Sequence, residues 1–133
     1  MVRFFSQSHE YNEPWQTVTL AFFLRYPNPY ATHVLSVDVL ERGFTPQGTL
    51  STTRLILKRG NIPKWMPRGI VNRAESWIVE QSEVDPLGKV VRCETRNLDH
   101  VKILRVRESV VLKEGDAGCA YLFLSRVYMV SQG

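Results

Sequence analysis

From about residue 33 onward the sequence is a succession of runs rich in β-branched and aromatic residues, joined mostly by segments too short to hold a crossover helix. Residues 33–43, 50–59, 75–84, 89–97, 101–112 and 119–130 are such runs, and residues 2–10 add one more at the start. Thr45-Pro-Gln-Gly48, Asp85-Pro-Leu-Gly88 and Glu114-Gly-Asp-Ala-Gly118 separate them. In these turns proline presets φ, and glycine takes conformations closed to other residues. Strands joined this closely pair antiparallel with their sequence neighbours, because a parallel return needs a dozen or more connecting residues. The pattern predicts an α+β fold: an antiparallel meander of about seven strands with one early helix.

The helix falls between residues 12 and 25. Asn12 suits an N-cap, Glu13 the positive helix end and Pro14 the first turn. Trp15, Val18, Ala21 and Phe22 then recur at helical spacing, and the run stops before Pro27. In the next run Leu35, Val37 and Val39 alternate with Ser36 and Asp38, as in a strand with one buried face.

Two places carry charge in unusual settings. In Arg25-Tyr-Pro-Asn-Pro-Tyr30 the two prolines stiffen the link between a helix-end arginine and His33. Arg25 is either a helix C-terminal cation or part of a built anion site. In the run 50–59, Leu55 and Leu57 share one face while Arg54, Ile56 and Lys58 share the other. That second face is either solvated or turned inward. If it is inward, the cations need a partner, and an anionic ligand is the partner expected. Residues 60–74, with two prolines, two glycines and five large apolar side chains, form either a plug on the core or a mobile lid.

A chain of 133 residues accommodates one domain, and a net charge of +4 favours acidic partners such as anionic lipid surfaces or nucleic acid. No apolar run approaches the roughly 20 residues that span a bilayer. Cys93 and Cys119 are too few and too far apart for a zinc motif or disulfide framework, and are expected as reduced, partly buried thiols. No catalytic motif or metal-ligand spacing is present, so neither an enzyme nor a cofactor is expected. Asp99-His100 reads as a turn in which Asp99 bonds local amides. A single-stranded nucleic-acid binder is the main rival reading. Against it, Trp15, Phe22, Phe23, Trp77 and Phe123 fit core faces better than an exposed stacking strip.

Several blocks, in order, are similar to the PRELI/MSF1 family: Arg25-Tyr-Pro-Asn-Pro-Tyr30 with His33-Val-Leu-Ser36, Thr52-Thr-Arg-Leu55, Ile62-Pro-Lys-Trp65, Glu75-Ser-Trp-Ile-Val-Glu80 and Thr95-Arg-Asn-Leu-Asp-His100. The resemblance implies a curved sheet of START-like helix-grip type and intermembrane transfer of phosphatidic acid in mitochondria. It also implies a place in the intermembrane space, peripheral to both membranes. It makes Arg25 and Lys58 headgroup cations, with His33 and Arg54 in support. Ile62, Pro63, Lys64, Trp65, Met66 and Arg68 become lid and membrane contacts. Asn61 stands where members of the phosphatidic acid branch can carry a further lysine. The partners implied are phosphatidic acid, an anionic membrane surface and a small helical protein with paired cysteine motifs. Another apolar ligand or phosphatidylserine is the alternative cargo. The chain ends directly after its last strand run, so the long C-terminal helix of that fold is expected to be missing. The sheet face it would leave open is expected to be covered by a second copy, a partner or lipid.

Overall fold

The computed structural model describes residues 2–25, 34–59, 75–99 and 101–130. Among these, seven strands and one helix follow in the order β1 (Val2–Pro14), α1 (Trp15–Phe23), β2 (Val34–Phe44), β3 (Leu50–Arg59), β4 (Glu75–Asp85), β5 (Val90–Asn97), β6 (Leu104–Glu114) and β7 (Cys119–Val130). They form one sheet in the order β1-β7-β6-β5-β4-β3-β2, with every neighbouring pair antiparallel. The predicted meander is present from β2 to β7. β1 closes the far side against β7, so two strands adjacent in sequence become the two edges of the sheet.

The turns behave as their residues predict. Gly48 takes φ +83 and donates its amide to the Thr45 carbonyl at 2.9 Å. Asp85 Oδ1 accepts from the amides of Leu87 at 3.1 Å and Gly88 at 2.9 Å. Asp99 Oδ2 accepts from the amide of Trp77 at 2.9 Å, which ties the turn to β4. Asn97 holds the same turn from the other side, donating to the carbonyls of Asp99 and Leu104 and accepting from the Val106 amide.

The helix starts later than its capping signals suggest. Asn12 and Glu13 remain extended because the ladder with β7 continues to Pro14, opposite Cys119, across a register shift after Glu10. Pro14 (φ -61, ψ 153) precedes the first helical turn, and no side chain caps it. Cross-strand pairing overrides the local cap, and burial of Trp15 pins the first turn instead. Trp15 packs with Val91, Leu112 and Ala120, and Tyr11, Val18, Phe22, Phe23, Val84 and Leu122 close around them. Its indole Nε1 donates to the Leu112 carbonyl at 3.1 Å.

Two face assignments need correction. β2 shifts register at Val34/Ser36 and at Val39/Glu41, which breaks its alternation. As an edge strand it leaves Leu35, Val39 and Leu40 exposed. Trp77 and Phe123 lie on the face opposite α1, and they remain about two fifths exposed, 37% and 42%. Trp15, Phe22 and Phe23 are core residues as expected. Both cysteines are free, Cys93 buried and Cys119 half-buried.

Replacing Trp15 should be costly in two separable amounts. Trp15→Ala is expected to lower unfolding free energy by about 3–5 kcal/mol, through the cavity it leaves. Trp15→Phe is expected to lose about 1–3 kcal/mol, through the smaller ring and the lost indole bond to the Leu112 carbonyl. Urea denaturation followed by circular dichroism reads both.

Candidate functional site

β3 and β4 pair without a break from Leu50↔Val84 to Arg59↔Glu75. Strand parity then puts Arg54, Ile56 and Lys58 on the same face as Ile78, Glu80, Ser82 and Val84, the face on which α1 packs. The solvated alternative for this face is excluded at Arg54 and Ile56, which are 6% and 0% exposed. Arg54 stands directly opposite Glu80, whose side chain has no exposure.

Glu80 is held from two directions. Its Oε1 accepts from Arg54 Nε at 2.8 Å and lies 2.7 Å from Arg54 Nη2. Its Oε2 accepts from Arg25 Nη2 at 2.9 Å. Arg25 comes from the turn that follows α1. Its Nη1 donates to the Phe22 carbonyl at 2.6 Å, and its guanidinium lies 3.8 Å from the centre of the Phe22 ring. The helix-end reading of Arg25 holds, since it satisfies the Phe22 carbonyl, and Arg25 also joins a charged cluster with Glu80. The buried cations have a protein carboxylate as partner, which corrects the expectation that only a ligand could supply the negative charge.

The cluster sits in a longer polar row. Successive ladders align Arg54, Glu80, Thr95, Glu108 and Arg126 across β3, β4, β5, β6 and β7. At the far end Arg126 bonds Glu108 through Nε at 2.8 Å and through Nη2, and donates Nη1 to the Tyr128 hydroxyl at 3.2 Å. Burial works against charge on Arg126, but the bonds to Glu108 outweigh it and raise its pKa. Cys93 lies between the row and the Trp15 core. Burial, and secondly the charge of Glu80, push its thiol up to about 12, against the pull of Arg25 and Arg54.

Of the residues expected in the site, Arg25 and Arg54 are brought together on one carboxylate. Lys58 is half-buried on the same face of β3, opposite Val34 and Ser76. His33 and the lid residues Ile62, Pro63, Lys64, Trp65, Met66 and Arg68 lie outside the described residues. Glu80 is the member that sequence reasoning missed. Its signal was available, since Ile78, Glu80, Ser82 and Val84 alternate onto one face and an antiparallel β3–β4 hairpin sets Glu80 against Arg54. Among the described residues no helix is long and apolar enough to cross a membrane.

The profile of the PRELI-like family matches residues 16–121. The chain belongs to the PRELI-like family. It is 45% identical to the "Protein ups1 homolog" of Schizosaccharomyces pombe over 111 residues, covering 84% of this chain and 64% of that protein. It is 39% identical to "Protein UPS1, mitochondrial" of Saccharomyces cerevisiae over 127 residues, 96% of this chain and 73% of that one. The chain thus spans about two thirds of the length of these relatives, 64% and 73%. Among solved structures, the Zhui aromatase/cyclase from Streptomyces sp. R1128 superposes with a TM-score of 0.61 at 17% identity, over all of this chain and 71% of that one. A likeness this distant in sequence concerns fold alone, and the fold is START-like helix-grip.

The Cys93 thiol gives the cluster a pH signature. Its folded pKa is raised from 9.0 to about 12, so the folded state keeps a proton that the unfolded state loses. Its contribution to stability is complete below about pH 9 and is lost between 9 and about 12, at up to roughly 1.4 kcal/mol per pH unit. Cys93→Ala should flatten this fall in urea denaturation. Below pH 9 iodoacetamide should alkylate Cys119 well before Cys93.

Proposed function

We propose that this chain is a non-catalytic phospholipid carrier that moves phosphatidic acid between mitochondrial membranes. The observation that carries the reading is the convergence of Arg25 and Arg54 on the sheltered face of the sheet, with Lys58 on the same side of β3. A guanidinium offers parallel donors that match two phosphate oxygens, and an ammonium adds a point charge. A phosphate monoester can answer with up to two negative charges and several acceptor oxygens. The same face carries the apolar core around Trp15 and Leu112, which seats α1 beside the cations.

The mitochondrial setting rests on the relative named "Protein UPS1, mitochondrial". The family resemblance supports a place in the intermembrane space and an anionic membrane surface to dock on. It also supports a small helical partner with paired cysteine motifs. In this reading no bond is made or broken. The site therefore needs positioning and charge, and no general acid, base or nucleophile.

Arg25→Gln tests the reading without setting a second carboxylate beside Glu80. Losing one charge-assisted bond of roughly 1.5–3 kcal/mol should slow phosphatidic acid transfer between liposomes about ten- to a hundredfold. Circular dichroism and cooperative unfolding should be retained. Transfer at the wild-type rate would remove Arg25 from the site.

A further inference from the structure

The three charged groups of the cluster differ in how firmly they are held. Glu80 is fully enclosed, and the Arg54 side chain is 7% exposed, with Nε donating to Oε1 and Nη2 within ion-pair distance of it but making no hydrogen bond. Arg25 donates to the other oxygen through Nη2 and to the Phe22 carbonyl through Nη1, and its side chain is 28% exposed. A carboxylate removed from water must keep at least one cation, and Arg54, in register on the next strand and bonded through Nε, meets that need. Arg25 can therefore leave without orphaning Glu80, while Arg54 cannot. The groups charged toward Glu80 are Arg25 from the α1 side, Arg54 from β3, and Glu108 two ladder steps away on β6, itself neutralised by Arg126.

We propose that Glu80 is an internal competitor for the cargo: its carboxylate latches Arg25 in the empty protein, and the phosphate of an incoming lipid takes Arg25 from it. This inference rests on the lipid-carrier reading above and adds to it a positioning residue. Binding then exchanges one charge-assisted bond for another, which keeps the net affinity low enough for the cargo to leave. A carrier that held phosphate with unopposed cations would load and fail to deliver. Glu80 also limits the charge of the Arg25–Arg54 pair to +1, so that a phosphate entering the site meets a moderate field.

The latch makes a prediction opposite in sign to that of a structural prop. Removing a prop weakens binding, whereas removing a competitor strengthens it. Glu80→Gln keeps the size of the side chain and discards its charge. With water-soluble short-chain phosphatidic acid, calorimetric titration should find the variant binding about tenfold more tightly than wild type. Release to acceptor liposomes should be correspondingly slower. Short-chain phosphatidylcholine, which has no net charge, should bind both proteins alike.

If Glu80→Gln fails to fold, Glu80→Asp serves. It keeps the charge near Arg54 and lengthens the reach to Arg25, and should bind a few times more tightly. Unchanged or weaker phosphatidic acid binding by a folded variant overturns the latch. So does an equal gain for phosphatidylcholine, which would mean that the variant has merely opened space. A wild-type protein that binds no short-chain phosphatidic acid overturns the carrier reading and the latch with it.

Discussion

A carboxylate cut off from water has to be answered by positive charge, and in this fold Glu80 is answered from two separate elements. Arg54 reaches it along the β3–β4 ladder, so half of the arrangement follows from strand register. Arg25 reaches it from the end of α1, whose own packing is against β1, β6 and β7. The ion pair therefore ties the end of the helix to the middle of β4, beyond Val84, which closes around the Trp15 cluster. Charge, burial and topology meet at this one residue.

Across the sheet the polar row and the apolar core divide the α1 face into two zones. Trp15, Val91, Leu112 and Ala120 fill one end, where α1 sits. Two residues beyond Cys93 along β5, at Thr95, the floor turns to a row of Arg, Glu and Thr. Such a floor is tolerable because each charge has an in-register opposite on the next strand or on α1. Cys93 marks the boundary between the zones. Its thiol is raised mainly by burial, and the nearby arginines offset only part of that effect. The boundary is thus both electrostatic and steric.

Much of the architecture was legible because antiparallel hairpins are local. The run 50–59 and its parity were readable from β-branched residues and flanking turns, and they coincide with β3 (Leu50–Arg59). Turn residues at Gly48 and Asp85 likewise act within a few positions of themselves. Errors arose where a distant partner overruled a local preference. Asn12 is a good cap by type, but β7 keeps that segment extended. Alternation in β2 failed because two register shifts move its side chains between faces.

The candidate site divides along the same line. Sequence by itself determined that Arg54 and Lys58 share a strand face, because residues two apart in a strand always do. It also determined that Arg25 stands at a helix end, because Pro27 and Pro29 prevent the helix from continuing. Only the tertiary structure decided that this face turns inward and that Glu80, 26 residues from Arg54 and 55 from Arg25, neutralises both. The physical reason is that periodicity fixes which side chains are neighbours within an element, while burial and ion pairing depend on which surface another element covers.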